Sequence, residues 1–99
     1  MEIERMQRED ARWKMLRVID AGRPVGVNEG IMRRVLSDLK LPSSQAELRR
    51  ELTYLRDLEL VEIGEANGEW YAMATAAGVA VVEYTAPAPA GIARPAKVS

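Results

Sequence analysis

Apolar residues recur at helical spacing along the first part of this chain and at the two-residue spacing of strands further on. In residues 3–21, IERMQREDARWKMLRVIDA, Ile3, Met6, Trp13, Leu16 and Ile19 stand at intervals that share one helical face, with Arg and Glu between them. Gly22 and Pro24 then supply a stop. Residues 28–39, NEGIMRRVLSDL, predict a second helix with Asn28 as N-cap and Glu29 set favourably in its first turn. Its expected buried stripe is Ile31, Met32, Val35, Leu36 and Leu39, and Gly30 weakens that end. Pro42 biases Leu41 away from helix. Ser44 and Glu47 have the spacing of a capping box for a third helix over 44–59, with Leu48, Leu52, Leu55 and Leu58 on one side.

Residues 61–65, VEIGE, alternate apolar and acidic positions, as a half-buried strand does. Asn67-Gly68 suits a type I′ turn, where both residues need positive φ. WYAMA at 70–74 is the return strand, with Trp70, Ala72 and Ala74 facing the core and Tyr71 and Met73 facing away. Thr75 can cap a last short helix, AAGVAVVEY, whose Val79, Val82 and Tyr84 are candidate core contacts. The pattern predicts an α+β fold, mainly α, over residues 1–84. Residues 85–99 are rich in Ala and Pro and read as an extended or disordered tail. There is no internal repeat.

An apolar share of 47% is enough for one core, built without Phe from Leu, Val, Ile and Met plus Trp13 and Trp70. The chain has no Cys and no His, which excludes disulfides, thiolate chemistry, Cys/His zinc sites and histidine acid–base catalysis. No P-loop, GxSxG or zinc spacing occurs, so neither an enzyme nor a cofactor is expected. No apolar run reaches the ~18 residues of a membrane span. The N-terminus is charged from residue 2, without a signal-peptide core, so a cytoplasmic location is expected. Net charge is −1, but unevenly spread. Residues 1–56 hold twelve Lys/Arg against nine Asp/Glu, whereas residues 57–93 hold six acids and no Lys or Arg. Such asymmetry bears on partners more than on fold.

The stretch SSQAELRRELTYLRDLELVEI, followed by a hairpin and then ATAAG, resembles the winged helix-turn-helix domain of MarR- and ArsR-like regulators. In those regulators the recognition helix runs into a leucine, a glycine-like residue and then leucine or valine. Here that exit is Leu58-Glu59-Leu60-Val61. The wing's second strand there typically ends in Leu-Thr before a helix with an early Gly, a place taken here by Ala74-Thr75-Ala76-Ala77-Gly78. The whole chain, including GIARP at 91–95, is also similar to a small family of proteins carried by Mu-like prophages. The resemblance implies a three-helix core, a two-stranded wing and a short C-terminal helix. It further implies a DNA-binding, prophage-encoded transcriptional regulator that pairs as a homodimer.

On a helical wheel with the leucines of 43–57 inward, Ala46, Arg50, Thr53 and Asp57 point outward. Arg49 and Arg56 flank one side, Glu47 and Tyr54 the other. If the third helix enters a major groove, Ser43, Ser44, Gln45, Arg49, Arg50 and Thr53 come within reach of duplex DNA. Arg can read guanine and Gln adenine, while Arg33 and Arg34 could add phosphate contacts. The alternative is ordinary solvated pairing of Arg49 and Arg50 with Glu47 and Glu51. Tyr54, Tyr71 and Trp13 are candidates for a partner or dimer surface, or for core packing. Glu65 and Glu69 beside the hairpin tip would repel phosphate, so the hairpin is expected to be mainly structural. The acidic 57–93 stretch keeps a second reading open, a winged-helix module that binds a phage or host protein instead of DNA.

Overall fold

A computed structural model describes residues 1–97. Four helices and three short strands follow in the order α1 (Glu2–Ala21), β1 (Val27–Asn28), α2 (Glu29–Asp38), α3 (Gln45–Asp57), β2 (Val61–Ala66), β3 (Glu69–Ala74) and α4 (Ala76–Val82). The strands form one antiparallel sheet in the order β1-β3-β2, so the architecture is α+β. The β2–β3 register runs from Val61 opposite Ala74 to Ala66 opposite Glu69 around Asn67 and Gly68, both at positive φ. β1 has no counterpart among the sequence expectations. It is only two residues long, and Val27 pairs with Ala72 and Asn28 with Tyr71.

Side-chain caps start three of the helices. The Asn28 side chain accepts from the Ile31 N–H at 2.9 Å. Ser44 and Glu47 form the reciprocal capping box, and the Thr75 hydroxyl accepts from the Gly78 N–H at 3.1 Å. α2 and α3 end alike. Lys40 and Glu59 take left-handed φ of 61° and 62°, and the Leu41 and Leu60 N–H groups turn back to the carbonyls of Leu36 and Leu55. Glu59 is thus the conformational equivalent of a glycine at the exit of α3.

The core gathers Trp13, Met15, Leu16 and Ile19 of α1, Met32 and Leu36 of α2, and Leu48, Leu52 and Leu55 of α3. Ala11, Val27, Leu60, Val61, Ala72, Val81 and Ile92 complete it. Two expected stripes are corrected. In α1, Ile3 and Met6 are 68% and 57% exposed, because the first turns of this helix run past the core. In α2, Ile31 and Leu39 are 50% and 46% exposed, and the inward line is instead Glu29, Met32 and Leu36, spaced three and four apart. A buried acid sets the phase of that helix.

Trp13 is also corrected as a surface candidate. It is 4% exposed and meets the Tyr84 ring edge-on, centroids 6.2 Å apart. Residues 85–97 contain no helix or strand, yet they are fastened down. Ile92 enters the core, the Ala93 N–H donates to the Glu9 carbonyl, and Arg94 donates to the carbonyls of Val81 and Ala86 while lying over the Tyr84 ring.

Candidate functional site

The turn from α2 to α3 and the first half of α3 carry most of the residues singled out from the sequence. Arg33 and Arg34 lie exposed on α2. The Arg33 Nε donates to the Ser43 carbonyl at 3.0 Å, which fixes the turn against α2. Ser44 is exposed, and its Oγ accepts from the Glu47 N–H at 3.1 Å. The Ser44 contact holds the Glu47 carboxyl below the usual carboxylate range. Gln45 and Ala46 are exposed on the first turn, and Arg50 follows one turn later. Thr53 is half-buried, and its hydroxyl donates to the Arg49 carbonyl at 2.8 Å, back along its own helix.

Arg49 does not join that outward set. Its guanidinium grips the Glu29 carboxylate at two points, Nη2 to Oε1 at 2.6 Å and Nε to Oε2 at 2.8 Å. Nη2 also donates to the Gly68 carbonyl at the hairpin tip, 2.9 Å away, and the group lies 4.6 Å from the Trp70 ring centre. Glu29 is 2% exposed and collects two more donors, the Trp70 N–H at 3.1 Å and Gln45 Nε2 at 3.3 Å. These contacts, the Arg49 hydrogen bonds foremost, draw the Glu29 carboxyl from 4.5 down to about 2 against the opposing effect of burial. Arg49 is held charged in return, chiefly by Glu29 and then by the charge of Glu65. One ion pair thus ties α2, α3 and the hairpin together.

A second cluster ties α1 and α3 to the tail. Arg12 Nε donates to Glu51 at 2.7 Å, its Nη1 to the Gly91 carbonyl at 3.0 Å, and its guanidinium lies 3.7 Å from the Tyr54 ring centre. The Tyr54 hydroxyl donates to the Ala90 carbonyl at 3.1 Å, so this side chain is occupied with the tail. Arg50 touches Glu51 only at 3.4 Å and remains exposed. Tyr71 is exposed on the far face of β3, its ring over Gly64, where any side chain would collide with it.

The sequence reading missed Glu29 and Glu51 as buried acids, and Arg12 and Arg94 as inter-element fasteners. A signal for the acids exists in the spacing: Glu29 is in phase with Met32 and Leu36, and Glu51 with Leu48 and Leu55. Among the described residues no group of three or more acidic side chains is placed to hold a metal ion, and no helix is long and apolar enough to cross a membrane. No family model matches the chain, and no curated protein or solved structure shows significant similarity to it.

Proposed function

We propose that this chain is a winged-helix domain that binds duplex DNA through the first half of α3, in the service of transcriptional regulation. The observation that carries the reading is the outward group Ser44, Gln45, Ala46 and Arg50, exposed at the start of α3 and flanked by the exposed Arg33 and Arg34 of α2. Helix N-terminal amides and the Ser44 hydroxyl suit a phosphate, and Arg50 suits a guanine edge. Gln45 reaches an adenine by giving up its 3.3 Å contact with Glu29, the longest that the carboxylate makes. Arg49 serves the site indirectly by setting α3 against α2 and the hairpin. The hairpin itself offers only Glu65, Glu69 and Asn67 near its tip and makes no phosphate contact in this reading.

The test is fluorescence anisotropy of a labelled duplex. Non-specific affinity in the ~1–100 µM range is expected, with a log–log salt slope near about −3 for three phosphate contacts. Arg34→Ala should lower that slope by about 1. Absence of binding at ~50 mM salt, where electrostatic affinity is greatest, would sink the reading.

The neutralisation of Arg49 by Glu29, with Glu65 close by, favours a second reading, a protein-binding module. A stoichiometric partner that stays bound at high salt and is lost on Tyr71→Ala would support that reading over the first.

A further inference from the structure

A groove between α1 and α2 has an apolar floor and a cationic rim. Val18 and Ala21 of α1 line it with Val35 and Leu39 of α2, and Lys14 and Arg17 edge it on the α1 side. Among the described residues, nothing from α3, the sheet or the tail lines it. Leu39 is 46% exposed, and Val18 and Val35 are only half-buried, so the floor stays in contact with water. Ile31, one turn before Val35, continues the same line of α2 and is 50% exposed. A lone exposed Leu is ordinary, but a continuous apolar strip laid across two helices marks an interaction site. The rim has charge to spare. Arg17 is exposed and forms no ion pair among the described residues, its guanidinium lying 6.0 Å from the Trp13 ring centre. Lys14 reaches Asp10 only at 4.0 Å, and Asp20, the next acid along α1, is held by Arg23 at 2.9 Å. Arg34 and Asp38, exposed further round α2 and one turn apart, offset each other.

We infer that this groove seats an acidic amphipathic helix of a partner protein. Two helices side by side leave a concave seat, and a third helix fills it with apolar side chains at i, i+3, i+4 and i+7. From Lys14 to Ala21 the groove runs seven residues, about 10 Å, which is the span from i to i+7 on the docking helix. Lys14 and Arg17 stand one turn apart, so carboxylates one turn apart on the flank of the partner helix meet both. The charges select among occupants. A basic helix would bury the same floor but set like charges together along the rim. Duplex DNA has no use for Val18, Val35 and Leu39. A flat bilayer would meet the rim before the recessed floor. A second copy docked groove to groove would bring cations against cations.

A seat of this length engages about two turns of helix, well short of the ~800 Å² per partner of a standard interface. The affinity is therefore weak, with a dissociation constant on the order of 100 µM. Docking here is independent of DNA binding, since no lining residue belongs to α3.

The probe is a labelled synthetic helix of about 18 residues, with Leu at i, i+3, i+4 and i+7 and Glu on both flanks, beside a twin carrying Lys for every Glu. In anisotropy titrations the Glu probe should bind about ten-fold more tightly than the Lys twin. Amide shifts on adding it should fall on residues 14–21 and 31–39. Leu39→Lys separates the floor from the rim. It adds a cation, which would strengthen a purely electrostatic contact, yet it should weaken the Glu probe about five-fold by removing apolar floor. The double variant K14E/R17E should reverse the preference and take the Lys twin instead. All three positions are at least partly exposed, so far-ultraviolet circular dichroism should show an unchanged fold. Equal binding of the two probes, shifts outside the groove, a tighter complex with Leu39→Lys, or a preference that the double variant leaves unchanged would each overturn the inference. So would phosphatidylserine-rich vesicles that shift these amides where the Glu probe does not, or self-association that Leu39→Lys abolishes.

Discussion

Replacing Glu29 by Gln keeps the shape of the side chain and removes its charge, so it isolates what the buried ion pair does. With the carboxyl held at about 2 in the folded protein against 4.5 unfolded, the charged form contributes on the order of 3 kcal/mol. The same magnitude follows from the contacts. Glu29 accepts two hydrogen bonds from Arg49, and breaking a buried pair by removing one partner costs about 3–5 kcal/mol because the other charge is stranded. The Gly68 carbonyl and the Trp70 ring still shelter Arg49, so the lower end applies. A loss of about 3 kcal/mol is a large part of the ~5–15 kcal/mol available to a domain of this size and corresponds to a fall in Tm of roughly 10–20 °C.

The pH dependence gives the prediction its sign. The folded value lies below the unfolded one, so the stabilisation is complete above the unfolded 4.5 and is lost as pH falls from there towards about 2. Urea melts of wild type and Glu29→Gln should therefore differ most at neutral pH and converge under acid. Arg49→Met should cost a similar amount at neutral pH. The double variant should cost much less than the sum, with a coupling of about 2 kcal/mol or more. Parallel stability curves from pH 7 to pH 3, or a neutral-pH loss below ~0.5 kcal/mol, would refute the role given to this pair.

Gly78→Ala should destabilise by about 1–3 kcal/mol in chemical melts, because a Cβ there would collide with the Leu60 backbone carbonyl, which the Thr75 N–H holds in place at 3.0 Å. Glu59→Gly should act oppositely and raise stability by about 0.5–1 kcal/mol, since φ of 62° strains any residue with a side chain. Ile92→Ala should cost about 2–3 kcal/mol, and deleting residues 86–99 should cost more and shift Trp13 fluorescence to the red as its surroundings become wet. An unchanged Trp emission after that deletion would show that the tail does not cover this part of the core.

Local chemistry accounts for how much of the fold was readable. The caps at Asn28, Ser44 and Thr75, the Asn67-Gly68 turn and the Leu48, Leu52 and Leu55 face all depend on residues within a turn or two of one another, and all appear in the structure. The phase of α2 was not readable from apolar residues alone. Ile31, Val35 and Leu39 offer an equally hydrophobic line, and only the partner of Glu29, twenty residues away on α3, selects the other one. β1 was invisible for a similar reason: two residues have no periodicity, and their pairing with β3 spans more than forty positions. At the candidate site, exposure of Ala46, Arg50 and Asp57 followed from the wheel, whereas Thr53, placed outward with them, is half-buried with its hydroxyl on the Arg49 carbonyl. The withdrawal of Arg49 did not, since a wheel places a side chain by angle and cannot see a carboxylate arriving from another helix.

That withdrawal changes how charge on this protein should be counted. Arg12 and Arg49 read as surface cations in the basic segment 1–56, but each is bound to a buried acid and holds separate elements together. They contribute to the fold and add little field beyond it, because a buried pair presents a dipole to the solvent. The cations still facing outward around α3 are Arg33, Arg34, Lys40, Arg50 and, at its far end, Arg56, a smaller set than the twelve Lys/Arg of that segment suggest. Any nucleic-acid affinity of one copy must then be modest and strongly dependent on salt.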